Sequence, residues 1–272
     1  MLQKTFGIYS DNLEKCTLFI EAGNRHIACW CKEPETGKVT AFEFFQFDEE
    51  DAGNIDEIVH NVRIQSQLAD AVISVQPIIW EGSALYVPGV FYQEDLCQAY
   101  LDTMMGDDAE AQVFNWRADE HVIIARQTPA YVNAIHQHFK DVSNNHKFLL
   151  LLKDYFGRTQ PGGEAAAVYL VFYPAHFILT AIKNNTLQII TSINYSTSED
   201  VLYSVMQVCR QCNIALESTP IIASGLIDTA SNLYTTLYSY LENFSLEETS
   251  AAVFGDGFSE YPAHYFLPFI TE

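Results

Sequence analysis

Apolar residues along this chain come in short runs rich in Phe, Ile, Val, Trp and Thr, cut by residues that turn the backbone. Residues 16–22, 25–32 and 39–47 are three such runs, separated by Gly23-Asn24 and Glu33-Pro34-Glu35-Thr36-Gly37. β-Branched and aromatic runs between turn residues predict three antiparallel strands joined by tight turns. An acidic loop, 48–51, follows. Asn54 then predicts a helix start, because Glu57 three residues later can complete a capping box. Ile55, Ile58, Val59 and Val62 give that helix one apolar stripe. A further strand over 71–75 is expected to stop at Pro77, which has no backbone donor.

The same order returns later in the chain. Residues 166–172, 177–183 and 187–194 predict three strands, broken at Pro174-Ala175-His176 and at Asn184-Asn185. Asn-Asn suits a hairpin because Asn tolerates left-handed backbone angles. Thr197-Ser198-Glu199-Asp200 opens a helix with capping chemistry. Its apolar side carries Val201, Val205, Val208 and Cys212. A strand over 220–223 follows, and Asp228 is expected to cap a helix bearing Leu233, Tyr234, Leu237 and Leu241.

An insertion, about 82–156, separates the two copies. It predicts strands near 85–88, 111–116 and 121–126, and helices over 93–105, 129–140 and 146–156. Pro129 suits a first helical turn, where its missing N–H costs nothing. The Gly- and Pro-containing stretch 158–164 reads as a linker. The expected layout is a first half over 1–157 with its insertion, and a second half over 165–272. Each half must bury helices on a sheet face, so the class is α/β with mixed sheets and an internally duplicated unit.

Composition removes several function classes. The chain is 49% hydrophobic and only 18% charged, which excludes a disordered chain and a coiled coil. Lys plus Arg number 14 against 35 Asp plus Glu, a formal charge of −21. Such a field repels phosphate backbones, so nucleic acid is not an expected partner. The opening Met1-Leu2-Gln3-Lys4-Thr5-Phe6-Gly7 has no apolar leader after it, and no apolar run reaches the roughly 20 residues that span a bilayer. A cytoplasmic protein without membrane insertion is expected.

Three antiparallel strands, a helix, a strand and a helix, present twice, resemble the actin, sugar kinase and Hsp70-type ATPase fold, which is ribonuclease H-like. The segment Ile222-Ala223-Ser224-Gly225-Leu226-Ile227-Asp228 resembles that superfamily's adenosine segment. The element order also resembles the superfamily's pilus- and secretion-assembly members. More narrowly, Leu85-Tyr86-Val87-Pro88-Gly89-Val90-Phe91 and the ending Tyr261-Pro262-Ala263-His264-Tyr265-Phe266-Leu267-Pro268-Phe269 resemble an uncharacterised family of Bacteroidetes-type bacteria with no established activity.

The resemblance implies two phosphate-gripping turns of the form Asp-x-Gly, one per half. Glycine lets backbone N–H groups approach phosphate, and the acid handles Mg²⁺. The first turn, Glu21-Ala22-Gly23-Asn24, keeps an acid and one glycine. The second, Tyr173-Pro174-Ala175-His176, keeps neither, and Pro174 removes a donor. Glu21, Gly23, Asn24, Ser224 and Gly225 are thus the candidate remnant of a nucleotide site. No catalytic residue and no resident metal is expected.

Other constellations are weaker. Cys29, Cys31, Cys209 and Cys212 could supply four thiolates to zinc, but sit within predicted elements, and small core residues are the favoured reading. His136 and His138 are two apart on a predicted helix and do not share a face. No P-loop and no Gly-x-Ser-x-Gly elbow occurs. The expectation is a non-catalytic binding or scaffold module with a degenerate nucleotide site and a protein partner, or a two-fold homodimer. The alternative is a divergent Mg-ATP-binding ATPase or small-molecule kinase.

Overall fold

The opening apolar runs form the strands their patterning predicts, within a computed structural model that describes residues 2–10, 16–48, 53–68, 72–80, 82–139, 145–157 and 166–270. The expected linker over 158–164, and residues 49–51 of the acidic loop, lie outside the described residues. The chain divides into two compact units: residues 1–152 with 250–260, and residues 153–249 with 261–272.

In the first unit, β1 (Gln3–Tyr9), β2 (Cys16–Ala22), β3 (His26–Lys32), β4 (Val39–Gln46) and β5 (Val72–Ile79) form a sheet of order β1-β4-β3-β2-β5. β2, β3 and β4 are an antiparallel meander, and β5 joins β2 in parallel. β1 escaped the sequence reading because it is a half-exposed edge strand with a weak apolar pattern. The helices α1 (Ile55–Gln65) and α3 (Pro129–Phe139) cover one face. Ile58, Val59 and Val62 of α1 and Tyr131, Ala134 and Ile135 of α3 pack there on Ile20, Cys29 and Phe45.

Two expectations fail in this sheet and its covering helices. Asn54 makes no side-chain cap; its amide instead donates to the Glu57 carboxylate. Pro77 does not stop β5, which runs on to Ile79. β5 is a sheet edge, and the Pro77 carbonyl points outward to accept from Asn145 N at 3.1 Å. The missing Pro77 N–H therefore faces the outer edge, and the β2 ladder loses nothing.

The insertion builds a three-stranded sheet, β6 (Ala84–Pro88), β8 (His121–Gln127) and β7 (Gln112–Ala118), with β8 central. The helix α2 (Cys97–Met105) packs Cys97 and Leu101 on Val87, Val122 and Ile124. α2 begins later than the expected 93, because Glu94–Leu96 form a tighter 3₁₀ turn first. The helix α4 (Lys147–Gly157) follows, and the division between units falls within it.

The second unit's sheet has the order β11-β10-β9-β12-β13, built from β9 (Ala166–Phe172), β10 (His176–Lys183), β11 (Thr186–Asn194), β12 (Ile221–Gly225) and β13 (Phe244–Leu246). Again an antiparallel meander carries a parallel strand, β12, beside its first member. Asn184 and Asn185 both have positive φ, 53° and 55°, as the hairpin requires. The helix α5 (Ser198–Gln211) starts with a complete capping box: Thr197 accepts from Asp200 N, and Asp200 accepts from Thr197 N. The helix α6 (Asn232–Tyr240) is capped by Ser231 and not by Asp228, which instead turns the chain by accepting from Ala230 N. A short helix α7 (Leu267–Ile270) ends the described chain.

Candidate functional site

The first-turn residues come together in the first unit. Glu21 is the penultimate residue of β2 and is fully excluded from solvent. Its Oε2 accepts from Lys147 Nζ at 2.6 Å. Its Oε1 accepts from Trp80 Nε1 at 3.1 Å and lies 3.2 Å from His26 Nε2. Burial pushes the Glu21 carboxyl up, but Lys147 and His26 outweigh this and hold it at about 2. Burial pulls the Lys147 ammonium down, and Glu21 pushes back. The short Lys147–Glu21 distance is that of a charge-assisted hydrogen bond.

The topology explains why residues so far apart in sequence meet. Glu21 of β2 stands opposite Ile78 of β5. Ile78 in turn bridges to Asn145, on the outer edge of β5. Asn145 is held by both backbone groups, donating to Pro77 O and accepting from Ile79 N at 3.1 Å each. His146 then starts α4 by accepting from Phe148 N through Nδ1 at 3.2 Å. Its ring lies between Trp116 and Phe148, with centroids 5.0 and 5.2 Å away. Lys147 is therefore delivered from a fixed backbone back toward β2.

Gly23 and Asn24 serve the same turn. A Cβ on Gly23 would come within 2.4 Å of the His26 ring, so its missing side chain makes room for that ring. His26 stacks flat on Phe44 at 5.2 Å. Asn24 Oδ1 accepts from Gly82 N at 3.1 Å. Lys147, Trp80 and His26 were not singled out from the sequence. The available signal was an acid inside an apolar strand, Glu21, and a lysine at the head of an apolar helix.

Ser224 and Gly225 end β12 in the second unit. Gly225 has φ of +85°, and a Cβ there would lie 2.3 Å from Phe172 O. Leu226 N donates to Phe172 O at 2.8 Å, and Ile227 O accepts from the His264 ring, 2.9 Å away. The second turn lies beside them. Tyr173 is fully buried, its ring stacked on His176 at 4.7 Å and edge-on to Phe269 at 5.8 Å. Tyr173 N donates to His176 O at 2.9 Å, and Tyr173 O accepts from Tyr195 OH at 3.0 Å.

A magnesium nucleotide needs an acid open to the metal and backbone donors open to phosphate. In this structure Glu21 is sealed under Lys147, and the Tyr173 and Leu226 amides donate to His176 O and Phe172 O. The cysteines do not form a ligand set either. Cys29 and Cys31 are buried in the first unit's core, Cys209 in the second's, and among the described residues no group of three His, Cys, Asp or Glu could hold a metal ion. Among the described residues no helix is long and apolar enough to cross a membrane.

This architecture defines a protein of the actin-like ATPase fold. It is similar to a Bacteroides thetaiotaomicron protein with actin-like ATPase fold and unknown function, with a TM-score of 0.73 at 13% identity, covering 85% of this chain and 90% of that one. A type IV pilus biogenesis complex, PilM–PilN, gives a second match, with a TM-score of 0.55 at 11% identity over 94% of this chain and 97% of the other. Residues 5–244 match the family model described as protein of unknown function, DUF3822, and the chain belongs to that family. Among curated proteins none matches the sequence.

Proposed function

We propose that this protein is a non-catalytic binding or scaffold module that keeps the actin-like fold around a degenerate nucleotide site. The observation that carries this reading is the second turn. There the buried Tyr173 ring and the inward-directed Tyr173 and Leu226 amides take up what a phosphate would require. The Glu21, Gly23 and Asn24 turn supports it, because each of those residues has an internal structural duty.

A binding role has independent support in the second unit. Tyr203 and Met206 stand exposed on α5 beside a groove of about 450 Å³ lined also by Arg210, Ile214, Leu216 and Glu217. Exposed apolar patches of this kind serve protein contacts. PilM, a fold relative, occurs in a complex with PilN, which agrees with an assembly role here. The test is isothermal titration with Mg-ATP and Mg-ADP. No heat of binding at millimolar nucleotide is expected; saturable binding with one site would overturn the reading.

A further inference from the structure

In the alternative Mg-ATP-binding reading the acid of the first turn would handle a metal, and the structure puts another group beside it. Lys147 Nζ lies 2.6 Å from Glu21 Oε2, with both side chains almost wholly buried, at 1% and 0% exposure. Trp80 and His26 attend the other oxygen. A buried carboxylate with one cation and two ring N–H groups around it is electrostatically complete. It needs no second positive charge, and a divalent ion placed there would repel the ammonium.

We infer that Lys147 is the resident cation of the Glu21 turn: the site is a cation site closed by the protein's own chain, with the tethered ammonium standing where a divalent ion would otherwise bind. The inference rests on the reading that Glu21 marks a remnant nucleotide turn, and it adds what replaced the metal. The placement of Lys147 is built in. Asn145 is joined to the β5 edge and His146 caps α4, so the residue between His146 and Phe148 has little choice of position. The surroundings are buried and aromatic, which strengthens the pair because little solvent screens it.

The consequence is that removing only the lysine charge should open the turn to a divalent ion. The experiment compares the wild type, Lys147→Ala and the double variant Glu21→Gln/Lys147→Ala by thermal melting with and without Mn²⁺. The expected result is a lower melting temperature for Lys147→Ala, of which Mn²⁺ restores about 3 °C or more. Wild type and double variant should not respond. Equal responses in all three proteins would mean that Mn²⁺ binds the acidic surface generally, and would overturn the inference. So would a folded Lys147→Ala protein that gains nothing.

If Lys147→Ala does not fold, Lys147→Gln keeps the length and removes the charge. Tb³⁺ luminescence then supplies a second readout, because Trp80 Nε1 sits 3.1 Å from Glu21 Oε1 and can sensitise an ion bound there. Sensitised emission from Lys147→Gln that disappears in Glu21→Gln/Lys147→Gln supports the inference, and emission unchanged by the loss of Glu21 overturns it. A nucleotide-binding wild type would defeat the proposed function, whereas these variants report only on what holds the place beside Glu21.

Discussion

Glu21 and Lys147 are 126 positions apart in sequence and 2.6 Å apart in the fold, the carboxylate from a central region of one sheet and the ammonium from the head of a helix. Breaking such a pair from one side leaves an uncompensated buried charge. Glu21→Gln should therefore destabilise the protein by about 3–5 kcal/mol in urea unfolding. The double variant Glu21→Gln/Lys147→Met should recover much of that loss, because it buries neither charge. A single variant with wild-type stability would show that the pair is not the contact described here.

Acid should weaken the fold through two groups with definite signs. His146 is fully buried, and burial alone takes its pKa down from 6.5 to about 3. Between those values the unfolded chain holds the proton and the folded chain does not, so stability falls as pH drops through that window. Glu21, held at about 2, contributes stability that is complete above 4.5 and is lost as pH falls toward 2. His146→Asn keeps an acceptor for Phe148 N and removes the first titration. Its melting temperature should drop less than the wild type's between about pH 7.5 and about pH 5; an equal drop would refute the role of His146.

Gly225 tests how far the second unit's strand end is structural. Its φ of +85° and the 2.3 Å approach of a Cβ to Phe172 O both oppose a side chain. Gly225→Ala should cost more than about 1 kcal/mol, read as a lowered urea midpoint. Thr197→Ala should cost about 1 kcal/mol by removing the acceptor for Asp200 N in the α5 capping box. A neutral Gly225→Ala would mean that the backbone relaxes away from Phe172.

Much of the fold was legible in residues whose signals are local. The strand over Cys16–Ala22 and that over Ala166–Phe172 were readable to the residue, because apolar runs and turn residues mark both ends. The Thr197–Asp200 box was legible for the same reason. Pro77 misled because its tolerance depends on β5 being an edge, and Asp228 because Ser231 competes for the cap. Within the candidate site, Glu21 and Gly23 were reached through the resemblance to an Asp-x-Gly turn. Lys147 was not, since no local periodicity links it to Glu21. That link exists only through the Glu21–Ile78–Asn145 register across β2 and β5.

The most direct measurement is the thermal melt of the wild type with and without about 1 mM Mg-ATP, at fixed free Mg²⁺. A ligand held only by the native state must raise the transition, so a functional site with micromolar affinity would raise it by about 5 °C or more. A non-catalytic module with a closed Glu21 turn and a filled Tyr173 turn predicts superimposable melts. A reproducible Mg-dependent rise that Glu21→Gln abolishes would contradict that claim.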